Sequence, residues 1–246
     1  MLVLLPPSEG KTAPAAGAPV DLAELVFAAE LTEPRRKLLA ALAGLAQVPR
    51  KRAVAMLAVS PGQADEVAVD AELEGAPAAP AAEVYSGVLY DRLALAELPA
   101  AAQKKVLIAS ALWGAVRPRD RIPYYRFAMK AKLKGIGTLA AFWRESLAAA
   151  LPDEEGELVV DMRSGAYAAA WKPKRATLIA VRAFSESDDK RKPISHMAKA
   201  VRGDVAKVLL AAKKAPADPE SAAALTERAG FTVELSSGYL DVIVDG

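Results

Sequence analysis

The sequence predicts an α+β fold, a mixed sheet with surrounding helices, and three observations carry that expectation. Runs with strand character and segments with helical periodicity follow one another without the regular βα alternation of a doubly wound sheet. The strand-like runs fall at 1–5, 106–109, 157–160, 176–181, 231–235 and 239–244, whereas helical spacing dominates 21–73, 195–213 and 218–230. With 246 residues, 53% of them hydrophobic, the chain can bury a substantial core as one large domain or two small ones.

Met1 to Leu5 is a short apolar run closed by Pro6-Pro7, which reads as a buried first strand. The loop after it, Pro6-Pro7-Ser8-Glu9-Gly10-Lys11-Thr12, ends like a phosphate-binding P-loop, G-x-x-x-x-G-K-[ST]. Leu5 stands where the first glycine belongs, however, and Ala13-Pro14 with Gly17 and Pro19 cannot continue as the required helix. The reading reduces to an anion-binding corner carrying Ser8, Lys11 and Thr12. Helical spacing then runs through Leu22, Leu25 and Val26, restarts at Pro34 with Leu38, Leu39, Leu42 and Leu45, continues through Val54, Met56 and Leu57, and is punctuated at Pro61-Gly62. Residues 75–82, GAPAAPAA, read as a linker of small residues without chemistry. Residues 83–98 resume with Tyr85, Gly87 and Tyr90, and Pro99 opens a short helical turn.

A buried strand at 106–109 leads into Ser110-Ala111-Leu112-Trp113-Gly114-Ala115-Val116-Arg117-Pro118-Arg119-Asp120. Pro118 holds Arg117 extended, and Asp120 is placed to orient a neighbouring arginine. Residues 126–134, RFAMKAKLK, alternate strictly: Phe127, Met129, Ala131 and Leu133 share one parity, Arg126, Lys130, Lys132 and Lys134 the other. That period predicts a strand with one apolar and one basic face. Gly135 and Gly137 then form a turn into a helix marked by Leu139, Phe142, Trp143 and Leu147, a geometry that can aim several backbone N–H groups at one phosphate. Strands at 157–160 and 176–181 flank Ser164, Tyr167 and the cluster Lys172, Lys174 and Arg175. Lys190-Arg191-Lys192-Pro193 precedes a helix over 195–213 bearing Lys199, Arg202 and Lys207. Asp218 caps a helix running to Gly230, and the last two strand-like runs form a hairpin or strand pair.

Charge is distributed unevenly. Residues 104–144 hold ten basic residues, Lys104, Lys105, Arg117, Arg119, Arg121, Arg126, Lys130, Lys132, Lys134 and Arg144, against Asp120 alone, so this stretch carries +9 in a chain whose net charge is +2. Aromatic residues Trp113, Tyr124, Tyr125, Phe127, Phe142 and Trp143 are interleaved. This is the footprint of a protein that meets a polyanion, nucleic acid or nucleotide. The chain has no cysteine, which excludes disulfides, thiolate metal sites and thiol peroxidase chemistry within it, and His196 is its only histidine, so imidazole-rich zinc or iron sites cannot be built. The first apolar run is too short for a signal peptide and no window suits a membrane span, which leads to the expectation of a cytoplasmic protein without membrane contact.

Three functional readings compete. A DNA-binding protein would use the basic stretch and the glycine turn to hold phosphates without reading bases. An enzyme acting on a nucleotide or small phosphorylated substrate would use Lys11, Arg117 and Arg126 as anion clamps and Asp120, Tyr125 or Lys199 for proton transfer. An interaction module would offer the basic face to an acidic protein. A closed pocket with perturbed titratable groups favours the second, an open groove the first.

The motifs also resemble the YaaA family of peroxide-stress proteins. The resemblance rests on the Ser8/Lys11-Thr12 loop, Tyr85-x-Gly87, Ser110-x-Leu112-x-Gly114-x-x-Arg117-Pro118-x-Asp120, Tyr125-Arg126, Phe142-Trp143, Ile194-Ser195 and Lys199-x-x-Arg202-Gly203, and it spans nearly the full length. It implies one α+β domain over 1–246 that binds duplex or branched DNA in a positively charged cleft, carries a helix-hairpin-helix element, and limits oxidative DNA damage and iron toxicity. Residues 134–142, KGIGTLAAF, resemble such a hairpin turn although the preceding segment alternates like a strand; the other place for the hairpin is around Gly114. On this reading the phosphate-binding set is Lys11, Arg117, Arg119, Arg126, Lys130, Lys132, Lys134, Gly135, Gly137, Lys199 and Arg202, with no cofactor, metal or catalytic residue assigned.

Overall fold

The computed structural model describes residues 1–58, 65–187, 190–194 and 197–245. The first strand β1 is Leu2–Leu5, and helices α1 (Ala28–Ala43), α2 (Arg50–Leu57) and α3 (Glu66–Ala71) follow. Strand β2 (Ala78–Pro80) runs directly into α4 (Ala81–Val84), and α5 (Val88–Leu93) and α6 (Ala100–Gln103) lead to strands β3 (Val106–Ser110), β4 (Gly114–Val116) and β5 (Arg121–Pro123). Then come α7 (Leu139–Ala150), β6 (Leu158–Asp161), α8 (Gly165–Ala168), β7 (Thr177–Ser187), β8 (Lys190–Pro193), α9 (Ala198–Ala211), α10 (Pro219–Arg228), β9 (Thr232–Ser236) and β10 (Tyr239–Asp245). The Pro61-Gly62 turn, His196 and the expected helix start at Ser195 lie outside the described residues.

The main sheet is mixed and has eight strands in the order β4-β3-β1-β6-β7-β10-β9, with β8 pairing off this path to β7. The domain is α+β as the sequence predicts. Its centre is parallel: β1 pairs with β3 on one side and β6 on the other, β6 with β7, and β7 with β10. The antiparallel pairs β3/β4, β7/β8 and β10/β9 lie outside that core, the last being the expected terminal strand pair. A strand buried on both faces needs no polar alternation, which is why β1 reads as uninterrupted Leu-Val-Leu-Leu, all four residues buried. Helix α9 packs on β7, α5, α6 and α10, and α7 on β4 and α1.

Two polar devices fix the ends of elements. Arg35 of α1 is fully buried and donates to the carbonyls of Trp113 (3.1 Å), Ala115 (3.0 Å) and Val26 (2.9 Å), tying α1 to the β3–β4 turn. Asp218 caps α10 as predicted, in a capping box with Ser221.

Three expectations need correction. Residues 126–134 form no strand, since their backbone donors turn to local or distant carbonyls instead of a neighbouring strand: Ala131 N–H to Ala128 at 2.9 Å, Lys132 N–H to Met56 at 2.7 Å. The alternation survives as exposure, with Phe127, Ala131 and Leu133 buried and Lys130, Lys132 and Lys134 exposed. The 75–82 linker is structured: its alanines are small enough for β2 to pair with β5 and for Ala78 and Ala81 to be fully buried. Residues 124–134, immediately before the Gly135–Gly137 turn, are not helical, and the chain around Gly114 is a β-hairpin, so neither place holds two helices joined by a hairpin.

Gly203 permits the close approach of α9 to α5: a Cβ there would sit 2.5 Å from the Leu89 carbonyl oxygen and 2.9 Å from Arg92 Cβ. Gly203→Ala is expected to destabilise the domain by about 1–3 kcal/mol in urea unfolding. Gly44→Ala, at a helical φ of −63° with nothing within 4 Å, is expected to be neutral or to stabilise by up to ~1 kcal/mol.

Candidate functional site

The parallel strands β1, β3 and β6 end on the same side of the sheet, and β1 is flanked by strands reached in opposite directions. In open sheets with parallel strands, ligands occupy the crevice outside such carboxyl ends. Here that position is roofed by the loop after β1. Pro6-Pro7 terminate the strand, and Tyr90 donates its hydroxyl to the Pro6 carbonyl at 2.7 Å. Ser8 Oγ accepts from the Ser86 N–H at 3.2 Å and donates to the Gly10 carbonyl. Thr12 N–H donates to the Val84 carbonyl at 2.8 Å, and Lys11 makes an isolated β-bridge with Tyr85.

Strapping the loop to 84–86 turns the Lys11 side chain inward. Its Nζ donates to the Ser8 carbonyl at 2.8 Å and lies 4.4 Å from the ring centroid of Tyr125 and 5.6 Å from that of Tyr85. The floor is locked by hydroxyls: Ser110 Oγ at the end of β3 lies 2.8 Å from Tyr125 Oη, which lies 2.7 Å from Tyr85 Oη. Tyr85 stacks on Tyr90 at 5.5 Å, and Trp113 meets Tyr125 edge-on at 6.1 Å. Burial pushes the phenols of Tyr85, Tyr90 and Tyr125 well up, so they stay protonated at neutral pH.

Helix α3 supplies the acidic wall. Glu66 and Asp70 are four apart and so share a face. Glu66 accepts from the Tyr124 hydroxyl at 2.9 and 3.0 Å, and Asp70 Oδ1 accepts from the Arg126 N–H at 2.7 Å. Asp70 is 1% exposed and its Oδ2 has no hydrogen-bond partner among the described residues. Burial, opposed by the Arg126 N–H and the Lys11 charge, raises its carboxyl to about 7. Burial, reinforced by the Arg126 guanidinium and opposed by Asp70, lowers the Lys11 amine to about 8. Arg126 itself donates to the Glu9 carbonyl.

The other sequence-selected residues fall elsewhere. Arg117 donates to the Lys104 carbonyl, at the opposite end of β3 from Ser110, and Arg119 is exposed beside it. Asp120 orients the backbone here: it accepts the N–H groups of Arg117 at 2.9 Å and Val26 at 3.1 Å. Lys130, Lys132 and Lys134 form an exposed row leading to Gly135 and Gly137, whose φ values of 76° and 75° are left-handed. Lys199 is exposed on α9, and Arg202 donates to the Val181 carbonyl at 3.1 Å. Among the described residues no three His, Asp or Glu side chains are grouped to hold a metal, and no helix is long and apolar enough to cross a membrane. Lys11, Arg126 and Tyr125 were selected from the sequence and Tyr124 was named only among the aromatics of the basic stretch, whereas Glu66 and Asp70 were missed; the four-residue spacing of the two acids was the one available signal.

A carboxyl raised from 3.8 to about 7 binds a proton in the folded state that it lacks when unfolded, so its contribution to stability falls as pH rises through that window. For Lys11, lowered from 10.5 to about 8, stability is regained as pH rises from about 8 to 10.5. Asp70→Asn is therefore expected to raise Tm by at least ~3 °C at pH 7.5 and to match the parent near pH 4, as read by calorimetry.

Comparison with known proteins gives a consistent assignment. The family described as "Peroxide stress protein YaaA" matches residues 1–236. A UPF0246 protein of Streptomyces coelicolor is 45% identical over 242 residues, covering 95% of this chain and 92% of the relative. UPF0246 proteins of Corynebacterium efficiens and Corynebacterium glutamicum are 38% and 36% identical over 247 residues, each covering 99% of this chain and 98% of the relative. With a match of that extent to the family and to full-length relatives, the chain belongs to the YaaA family of peroxide-stress proteins.

Proposed function

We propose that this family member binds DNA through its phosphate backbone, using the exposed ridge from Lys130 to Gly137, and thereby shields DNA during peroxide stress in the cytoplasm. The observation that carries this reading is the ridge itself. Buried Phe127, Ala131 and Leu133 anchor the segment while Lys130, Lys132 and Lys134 face outward, and the glycines beyond them have nothing within 4 Å of where a Cβ would stand. The backbone at Gly135 and Gly137 is thus open to a phosphate oxygen, next to the N-terminus of α7, where Thr138 Oγ1 caps the Ala141 N–H at 3.4 Å. The reading is of sequence-tolerant, salt-sensitive binding in which phosphates supply the energy. Any effect on iron toxicity follows indirectly, from protecting the DNA.

Binding to duplexes of unrelated sequence is expected to be of similar strength, with log K falling by ~0.9 per neutralised phosphate against log salt. Lys130→Ala, Lys132→Ala and Lys134→Ala together are expected to flatten that slope by up to about three units without lowering Tm. Gly137→Val is expected to abolish most binding, whereas Thr138→Val leaves binding intact and costs no more than ~2 kcal/mol of stability. Fluorescence anisotropy across a salt series, on variants shown to be folded by circular dichroism, checks all three; an unaltered slope in the triple variant contradicts the reading.

A further inference from the structure

The ridge leaves the inward-facing cluster at the end of β1 unused. We propose that this cluster is a catalytic site in which the Lys11 amine condenses with the carbonyl group of a small anionic aldehyde or 2-oxo acid, with Asp70 transferring the proton and Arg126 holding the anion. Four observations carry it. The position, outside the carboxyl ends of β1 and β3, is where a sheet with a parallel centre receives ligands. Lys11 Nζ is fixed over the faces of Tyr125 and Tyr85 by the Ser8 carbonyl, on side chains locked by the Ser110 hydroxyl, so the nucleophile is held in one place. Asp70 is buried with one oxygen bound to the Arg126 N–H and the other unpartnered among the described residues, which leaves an oxygen able to take or give a proton. No ion pair closes between Lys11 and Asp70 among the described residues, although each feels the other's charge, so the amine and the carboxylate are not consumed by one another.

A lysine becomes a nucleophile when desolvation and a neighbouring cation favour its neutral form, and both act on Lys11. With the amine near about 8, roughly a tenth is neutral at pH 7, against about one part in three thousand for an ordinary lysine. The neutral amine attacks the carbonyl carbon, forming the C–N bond. Asp70 as carboxylate carries one proton from the resulting ammonium nitrogen to the alkoxide oxygen, giving the neutral carbinolamine, and then carries the remaining N–H proton to the carbinol oxygen, which departs as water as the C=N bond forms. Asp70 ends the step as it began, and no oxidant or reductant is needed. The guanidinium of Arg126, with one nitrogen committed to the Glu9 carbonyl, retains N–H groups for a carboxylate or phosphate on the same compound. Glu9 and Glu66 are the other acids facing Lys11, and Glu66 is engaged by the Tyr124 hydroxyl.

The test uses the full chain with glyoxylate as probe and cyanoborohydride to reduce any imine to carboxymethyl-lysine, read at pH 7 by quantitative peptide mass mapping. Lys11 is expected to be modified at least ~10-fold faster than Lys130, Lys132 or Lys134, despite being less exposed. Asp70→Asn is expected to slow modification of Lys11 about 10-fold or more while leaving the surface lysines unchanged, and Arg126→Ala to remove the preference for glyoxylate over uncharged acetaldehyde. The triple alanine variant of the ridge keeps the Lys11 rate, which separates this site from DNA binding. Modification of Lys11 no faster than the exposed lysines overturns the proposal, as does an unchanged Lys11 rate in a folded Asp70→Asn protein.

Discussion

The line of buried hydroxyls from Ser110 through Tyr125 to Tyr85 is the constraint on which the inner site depends. All three residues are at most 2% exposed, and a buried phenol without a partner would cost free energy that packing alone does not recover. Their mutual hydrogen bonds, at 2.8 and 2.7 Å, join the end of β3 to two segments distant in sequence. Once Tyr125 is held, its neighbours have little freedom. Tyr124 reaches Glu66 with its hydroxyl and Arg126 offers its backbone N–H to Asp70, so α3 is docked by contacts spanning 56 and 58 residues. The tyrosine rings then make the surface on which Lys11 comes to rest.

Two kinds of basic site follow from one composition. Lys130, Lys132 and Lys134 are exposed because the alternate residues Phe127, Ala131 and Leu133 are needed in the core, and an exposed lysine costs the fold little. Such a row suits a partner that arrives from solvent with many charges. Lys11 is bent in the other direction by its loop, over aromatic faces and beside another cation, which suits a small ligand and a change in protonation.

Much of the fold was legible where local pattern and burial coincide. The uninterrupted apolar β1, the capped helix after Asp218 and the terminal pair β9–β10 all followed from sequence. The segment 126–134 did not, because a period of two records alternating burial and says nothing about whether a neighbouring strand is there to bond. Residues 75–82 misled for the opposite reason: small residues read as a linker, yet smallness is what lets Ala78 and Ala81 enter the core. In the site, Lys11 was found through a partial resemblance to a phosphate loop, while its inward direction depends on bonds to Val84 and Ser86 that no local pattern encodes. Glu66 and Asp70 were hidden for the same reason, since two acids on one helix face ordinarily mark solvent.

The central claim is that the tyrosine floor and its neighbours hold the Lys11 amine in an environment that favours its neutral form. It is tested most directly by following the ε-carbon resonance of Lys11 through a pH titration by NMR, with the signal assigned from its loss in Lys11→Arg. The account predicts a midpoint at about 8. A midpoint near the ordinary lysine value of about 10.4 would contradict it.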